Sequence, residues 1–132
     1  MPLWLSERSR DGGVDEVPLP GVPGRLWLCG KHAIGPSVDA LLERTGASFV
    51  VCLNEEPELA DRYPDYVSWL REAPGARWHP VPDLHAPPVE AAAALADDVV
   101  ALLRAGEGVV LHCGAGVGRA GTMAAAVLLT LG

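Results

Sequence analysis

The strongest constraint on the fold lies near the end of the sequence, where an apolar run meets a glycine-rich turn and then an alanine-rich stretch. Val109–Leu111 is apolar and contains two β-branched valines, glycines recur through 114–118, and Ala120 opens a segment dominated by alanine and leucine. This order predicts a buried strand, a tight loop and a helix. Such a unit gathers backbone N–H groups and the positive end of a helix dipole around one concavity. The chain is therefore expected to be an α/β protein that binds an anion at this loop.

Two reactive side chains stand at the ends of that loop. Cys113 and Arg119 are separated by five small residues. The planar guanidinium can hold a phosphate through two N–H groups, and the field that attracts the anion also lowers the pKa of a thiol. We therefore expect Cys113 to attack as a thiolate. The predicted phosphate cradle is Gly114, Ala115, Gly116, Val117, Gly118 and Arg119.

His112-Cys113, followed after five residues by Arg119, resembles the signature of the protein tyrosine phosphatase superfamily, and the small size is similar to its dual-specificity branch. Other segments resemble the opening hairpin, the helix–Gly–strand unit and the general-acid loop of that family, in the same order: Val14–Leu28, Leu41–Asn54 and His79–Pro87. The resemblance covers residues 14–131. It implies a three-layer α/β fold with a mostly parallel central sheet of four to five strands flanked by helices, without the helices that relatives add after the signature helix.

Asp83 is the predicted general acid. It follows Pro82 in the proline-rich segment that resembles the acid loop. A carboxylic acid there can protonate the leaving phenolate or alkoxide oxygen and later accept a proton from the attacking water. The resemblance thus predicts cysteine-dependent phosphomonoester hydrolysis through a cysteinyl-phosphate intermediate.

Three further residues bear on that chemistry. His112, at the end of the predicted strand, is expected to point away from the pocket and hold the loop by hydrogen bonds, lowering the pKa of Cys113. Ala120 departs from the resembling family, which places a serine or threonine after the arginine to donate a hydrogen bond to the sulfur. Losing one such donor costs on the order of 10²-fold in rate. Thr122, one helical turn after Gly118, is a candidate substitute.

Cys52 lies in the neighbouring predicted strand. In some members of the resembling family a cysteine there forms a reversible disulfide with the nucleophile, although a small core residue is the more common role. His79 and His85 flank the acid loop but have no partners at the spacing of metal ligands, so no metal and no cofactor is expected.

The pattern along the chain gives the following elements. A hairpin is predicted from two short runs, a capped helix follows, and strands then alternate with helices, which favours a parallel sheet covered on both faces. The predicted bounds are Val14–Leu19 and Arg25–Cys29 for the hairpin, Ser37 to Arg44 for a helix ended by Gly46, Ser48–Leu53 for a strand, Glu56 to Glu72 for helices interrupted at Pro64, Arg77–Val81 for a strand, and Pro88–Arg104 for a helix with Val89, Ala93, Ala96, Val100 and Leu103 on one stripe.

Composition narrows the class of protein. The 132 residues are expected to form one catalytic domain over 14–132 after a loose tail over 1–13. The net charge of −7 argues against nucleic acid, and the longest apolar stretch, Thr122 to Leu131, is too short to cross a bilayer. Three cysteines without framework spacing, and no evident signal peptide, predict the cytoplasm. Heavy use of alanine, glycine, proline and valine suggests a bacterial source.

Three other motifs and one non-catalytic role also fit parts of this loop. Gly116 to Gly121 fits G-x-G-x-x-G, but too little chain follows for a dinucleotide-binding fold, and no lysine precedes Thr122 as a nucleoside-triphosphate loop requires. A rhodanese-like sulfurtransferase also uses a cysteine loop, but Asp83 favours phosphate chemistry. A weakly catalytic or inactive phosphate-binding module remains open because of Ala120.

The expected substrate is a phosphorylated protein. The residues between Cys113 and Arg119 carry no charge, which favours singly phosphorylated groups, phosphotyrosine first and phosphoserine or phosphothreonine next. Apolar side chains near the end of the chain are expected to be exposed and to allow self-association: Val127, Leu128, Leu129 and Leu131.

Overall fold

The computed structural model describes residues 13–19, 21–83, 85–114 and 118–132. Within them a five-stranded sheet has the order β1–β2–β5–β3–β4. The strands are β1 Asp15–Val17, β2 Arg25–Gly30, β3 Phe49–Cys52, β4 Ala76–Trp78 and β5 Gly108–Cys113. Only the β1–β2 hairpin is antiparallel; the other neighbours run parallel. The predicted hairpin and mostly parallel sheet are therefore confirmed.

β5 is the central strand, and its sequence explains the position. Val109, Val110 and Leu111 are fully buried. A strand that is apolar on both faces needs cover on both sides, which only an interior position in a layered sheet supplies. Its parallel neighbours β2 and β3 bring their carboxyl ends to the same edge as Cys113. That edge is where open α/β sheets build their sites.

Helices cover both faces of the sheet. They are α1 Lys31–Ile34, α2 Val38–Thr45, α3 Glu56–Leu59, α4 Pro64–Glu72, α5 Val89–Arg104 and α6 Gly118–Leu131. One apolar cluster joins α5 and α6 to the sheet, and a second joins the sheet to the layer built from the first four helices. The result is the predicted three-layer arrangement. None of the described helices is long and apolar enough to span a bilayer.

Local signals placed α2 correctly. The Ser37 hydroxyl accepts a hydrogen bond from Ala40 N at 3.2 Å, and Gly46 ends the helix with a φ of 74°. Serine supplies the oxygen that a helix N-terminus lacks, and glycine adopts the left-handed conformation without a Cβ penalty. Pro64 separates α3 from α4, as the sequence predicted. The short helix α1 was not predicted.

The predicted apolar stripe of α5 was wrong at its start. Val89 is 84% exposed and Ala93 is exposed, whereas the buried side chains begin one turn later. The first turn of α5 contributes no buried side chain to the core, so the apolar residues of that turn could not be used to predict which face is buried. The buried face is formed by Leu95, Ala96, Val99, Val100 and Leu103.

The predicted exposed patch on α6 also needs correction. Val127 is fully buried in the core, and Leu131 packs partly against it. Leu128 and Leu129 are exposed, at 41% and 82%. The helix period turns Val127 toward α5 and the sheet while its two neighbours face outward. Self-association through this helix stays a prediction that depends on two leucines rather than four residues.

Candidate active site

The candidate nucleophile lies at the carboxyl edge of the sheet. Cys113 is the last residue of β5, sits beside Gly30 of β2, and is 3% exposed. The next residue, Gly114, is held by its carbonyl, which accepts a hydrogen bond from Lys31 N at 3.0 Å. The start of α1 therefore fixes the point where the chain leaves the strand for the loop.

Arg119 is buried in the first turn of α6. Its Nη1 donates to the carbonyls of Val81 at 2.7 Å and Leu53 at 3.3 Å, and the side chain is 4% exposed. A cation at a helix N-terminus is opposed by the helix dipole, so it needs an anionic partner. That partner is Glu58, which accepts from Nη1 at 2.8 Å and from Nη2 at 2.7 Å. The hydrogen bonds with Glu58 raise the pKa of Arg119 further above its ordinary value.

Glu58 is the residue that the sequence analysis missed. Besides Arg119, its carboxylate accepts hydrogen bonds from Asn54 Nδ2 at 2.9 Å and from Glu55 N at 2.7 Å. The Arg119 hydrogen bonds come first among the causes that lower the pKa of Glu58 from 4.5 to about 2. One signal could have found it. Glu55, Glu56 and Glu58 follow β3 directly, and the carboxyl ends of β3 and β5 meet at one edge.

The remaining face of the guanidinium borders the loop. A Cβ added to Gly114 would lie 3.4 Å from Arg119 Nη2, so the glycine allows the guanidinium to approach closely. Nη1 donates to Glu58 and to two backbone carbonyls. Nη2 donates to Glu58 and is the guanidinium nitrogen that lies near Gly114. Arg119 Nη2 can therefore donate to a phosphate bound at the loop without breaking the ion pair with Glu58.

The candidate acid reaches the same guanidinium. Asp83 is exposed, and its Oδ1 lies 3.6 Å from Arg119 Nη2. Beyond β4 the chain keeps bonding to the end of β3, because Val81 N donates to Leu53 O at 3.0 Å. His85 Nδ1 is 2.9 Å from the Asp83 carbonyl. These backbone hydrogen bonds place the segment around Asp83 at the carboxyl edge of the sheet, where Cys113 and Arg119 also lie.

Three of the predicted cradle residues, Ala115, Gly116 and Val117, lie outside the described residues. Gly118 is described as the first residue of α6 and is exposed. The structure thus brings together Cys113, Gly114, Gly118 and Arg119 from the signature with Asp83 from the acid segment.

The sequence matches the profile of the Tc-R-P family, described as "Polymorphic toxin system, DSP-PTPase phosphatase", over residues 29–132. The chain belongs to this family. The match spans the site from the end of β2 to the last helix of this Tc-R-P domain, and it confirms the resemblance drawn from the motifs. No curated protein sequence shows a significant match.

Solved structures share the fold of the Tc-R-P domain. Kinase associated phosphatase (KAP), with serine substituted for its catalytic-site cysteine, superposes with a TM-score of 0.66 at 20% identity over 81% of this chain and 66% of the KAP chain. Tk-PTP in its active form gives 0.60 at 24% identity over 88% of this chain and 73% of its own. The domain thus spans just under two thirds of the KAP chain. At these identities the likeness shows the fold.

His112 of the Tc-R-P domain is fully buried behind the nucleophile. Its Nε2 lies 2.5 Å from the Tyr66 hydroxyl, and its Nδ1 lies 3.4 Å from the Cys113 carbonyl. Burial lowers the pKa of His112 to about 4, so the imidazole is neutral at pH 7. When Tyr66 donates to Nε2, the ring proton sits on Nδ1 and faces the carbonyl. His112 can therefore orient the loop entry, whereas its predicted effect on the pKa of Cys113 stays a prediction.

The strand faces favour the core role of Cys52 over the alternative of a redox pair with Cys113. Cys52 is registered beside His112 in the parallel β3–β5 pair, so both side chains occupy the same face of the sheet. Cys113 is the next residue along β5 and packs in the cluster on the opposite face. Burial also raises the pKa of Cys52 to about 12. A Cys52–Cys113 disulfide would require one strand to turn over, so Cys52 is a core residue here.

Thr122 lies one helical turn after Gly118, as expected, and its role as a substitute donor stays a prediction. Its Oγ1 donates to the Gly118 carbonyl at 3.1 Å, within its own helix, and the side chain is exposed. A threonine hydroxyl often bonds the carbonyl four residues back in this way. Ala120 is fully buried in the cluster that contains Cys113. The residue after Arg119 therefore places a methyl group in the core and supplies no side-chain donor.

No three histidine, cysteine or carboxylate side chains are grouped as metal ligands in the part of the chain that the structure describes. His79 bonds through its backbone to Cys52 O, and His85 bonds the Asp83 carbonyl. Both histidines thus lie along the acid segment.

Proposed function

We propose that this domain hydrolyses phosphomonoesters on phosphorylated protein through a cysteinyl-phosphate intermediate. One observation carries the proposal: the guanidinium of Arg119, fixed by Glu58, lies between Gly114 of the signature and Asp83 at 3.6 Å. The Tc-R-P family is a phosphatase family, so a phosphorylated substrate follows from membership. KAP has a catalytic-site cysteine, which supports the role proposed for Cys113.

The first step transfers the phosphoryl group to sulfur. The Cys113 thiolate donates an electron pair to phosphorus, the P–O bond to the leaving group breaks, and Asp83 gives its proton to that oxygen. Arg119 and the loop N–H groups hold the three non-bridging oxygens, whose charge is spread in the transition state. The burial of Arg119 limits the freedom that it loses on binding.

The second step releases phosphate. Water attacks the phosphorus, the carboxylate of Asp83 takes its proton, and the P–S bond breaks to restore the thiolate. In this step Ala120 matters, because no hydroxyl at that position stabilises the departing sulfur. We expect phosphoenzyme breakdown to limit turnover. Phosphotyrosine is the preferred substrate in this proposal, with phosphoserine and phosphothreonine next.

The cytoplasm is proposed as the place of action because the cysteines form no disulfide. Cys29, Cys52 and Cys113 are all free and buried. A nucleophilic thiol stays active where thiols are kept reduced, which favours the cytoplasm as the place of action. The family description adds that the domain belongs to a polymorphic toxin system.

The test is Cys113-dependent turnover of a small aryl phosphate near pH 6. We expect Cys113→Ser to abolish phosphate release and Asp83→Asn to slow it, most strongly for leaving groups of high pKa. Rapid quenching of the natural protein should trap phosphate on Cys113, detectable by peptide mass spectrometry. Release of phosphate that survives Cys113→Ser would refute the mechanism.

A second candidate is a phosphate-binding module with little or no catalysis. The buried methyl group of Ala120 favours it, because the sulfur lacks a donor there. Tight binding of tungstate without any aryl phosphate turnover, and without a trapped phosphoenzyme, would select this alternative.

A further inference from the structure

A groove lies between the end of the sheet and the start of α5, beside the acid segment. Its volume is about 260 Å³. The residues that line it are mostly apolar and include Leu53, Trp78, Val81, Pro88, Ala91 and Leu95. They come from the carboxyl ends of β3 and β4, from the acid segment and from the start of α5. This apolar groove therefore opens at the same edge of the sheet as Cys113.

The walls of the apolar groove are fixed by contacts of their own. Trp78 Nε1 donates to the carbonyl of Asn54 at 2.7 Å, and the guanidinium carbon of Arg71 lies 5.7 Å from the centre of the Trp78 ring. Val81 N donates to the carbonyl of Leu53 at 3.0 Å. Binding in a groove whose walls are already ordered costs little further ordering, so the site suits one rigid apolar side chain.

The chain itself carries such a side chain before β1. Residues 1–12 of the expected loose tail lie outside the described residues. They contain Leu3, Trp4 and Leu5 in succession, followed by a polar run. A loose tail would leave all three side chains in water, whereas a buried tryptophan removes about 150–250 Å² of surface from water. The composition of this segment therefore favours a docked position over a free one.

The sheet topology starts that segment at the edge where the apolar groove opens. β1 is antiparallel to β2, with Asp15 registered beside Leu28, so the chain before β1 meets the carboxyl end of β2. Gly13 is buried with a φ of 75°, which bends the backbone there. In the sheet order β3 and β4 are three and four strand spacings from β1, roughly 14–19 Å. The nine residues from Trp4 to Gly12 span up to roughly 30 Å when extended, which is enough to reach the groove.

We infer that the apolar groove is a docking site for residues 3–5 of the same chain, with Trp4 as the anchor. Because the segment is tethered, its effective concentration at the groove is on the order of millimolar, so a weak apolar contact is enough to fill the site. Docking places Trp4 against Val81, whose carbonyl accepts from Arg119 and whose N–H bonds the acid segment to β3. The docked segment thus braces the acid segment.

The experiment uses the full chain with fluorinated tryptophan and assigns the four fluorine NMR signals with single tryptophan-to-phenylalanine variants. We expect the Trp4 signal of the folded protein to differ from that of the urea-unfolded chain. Trp4→Ala should shift the signal of Trp78 and leave those of Trp27 and Trp69 unchanged. A Trp4 signal at the unfolded position overturns the inference and leaves the groove to a separate ligand. A signal that returns to that position on dilution overturns it in favour of a second copy of this chain.

A substitution in the apolar groove tests the same contact from the other side. Ala91→Glu places a carboxylate in the groove and should return the Trp4 signal to the unfolded position, because burying an unpaired charge is unfavourable. Ala93→Glu is the matched control: Ala93 is also exposed on α5, and the helix period turns it to another side. The control should keep the docked signal. A docked signal that survives Ala91→Glu, or that is lost equally in Ala93→Glu, overturns the groove as the site.

Hydrogen exchange tests the bracing. The Val81 amide bonds the carbonyl of Leu53, so its exchange rate reports how often the acid segment leaves β3. We expect Trp4→Ala to raise that rate about tenfold and to leave the rate of the Val110 amide, in the buried central strand, unchanged. Equal Val81 rates in the natural protein and the variant overturn the bracing. Neither the fluorine signals nor the exchange rates require turnover, so the outcome is separate from that of the proposed phosphatase activity.

Discussion

Replacing Glu58 with glutamine is the sharpest perturbation of the site. The carboxylate accepts four hydrogen bonds: two from Arg119, one from Asn54 Nδ2 and one from Glu55 N. Arg119 is 4% exposed, so its charge depends on this partner. Glu58→Gln keeps the shape of the side chain but removes the negative charge. It leaves a buried guanidinium whose remaining anionic neighbour, Asp83, is exposed and lies 3.6 Å from Nη2.

The pKa of Glu58 gives the magnitude. A displacement from 4.5 to about 2 corresponds to about 3 kcal/mol of preference for the ionised carboxylate in the folded state. Because the folded pKa is depressed, this stabilisation is fully present above the unfolded pKa and is lost as pH falls from about 4.5 toward 2. Glutamine behaves like the protonated acid at every pH. The variant should therefore be about 3 kcal/mol less stable at pH 7. Its free energy of unfolding should also fall less steeply than that of the natural protein as the pH is lowered below about 4.5.

Urea unfolding at several pH values measures both effects. Glu56→Gln is the matched control, since Glu56 lies on the same short helix but pairs with the exposed Arg71 at the surface. We expect that control to change the free energy of unfolding by less than about 1 kcal/mol. A change below about 0.5 kcal/mol for Glu58→Gln, or an unchanged acid limb, would refute the reasoning. Activity should fall by roughly tenfold or more, because Arg119 is no longer held in place.

Three other outcomes follow from the site. Ala120→Ser should supply the missing donor, remove the pre-steady-state burst seen in the natural protein and raise steady-state turnover by up to about 10²-fold; no burst, or no acceleration, would contradict this. Tyr66→Phe should leave His112 Nε2 without a partner in the core and cost about 1–3 kcal/mol in thermal or urea unfolding, whereas a neutral change would deny the hydrogen bond a structural role. Mild peroxide should produce no Cys52–Cys113 disulfide by non-reducing mass spectrometry, and finding that bridge would show that the described strand faces do not persist.

Local patterns predicted much of the fold. Ser37 and Gly46 bound α2 through backbone chemistry that needs no tertiary information, and the apolar run of β5 indicates a buried strand. The signature gave Cys113 and Arg119 because their spacing is set within one loop. Asp83 could likewise be predicted as the general acid from the proline-rich segment around it, without knowing its distance from the guanidinium of Arg119.

Features that depend on long-range register were not accessible. Glu58 lies 61 residues from Arg119 in sequence, and an acid-rich stretch after a strand usually indicates a solvated helix. Cys52 looked adjacent to the nucleophile because the strands are neighbours. The register, however, pairs it with His112 and so assigns it to the other face.

The carbonyls of Leu53 and Val81 both accept from Arg119 Nη1, and Leu53 O also accepts from Val81 N. One short stretch of main chain therefore fixes the anion-gripping cation and the segment that delivers the proton donor. These two parts cannot drift independently: a distortion at the end of β3 would misalign phosphate capture and leaving-group protonation together. A variant damaged there should lose phosphate binding and leaving-group protonation together, whereas Asp83→Asn should keep phosphate binding.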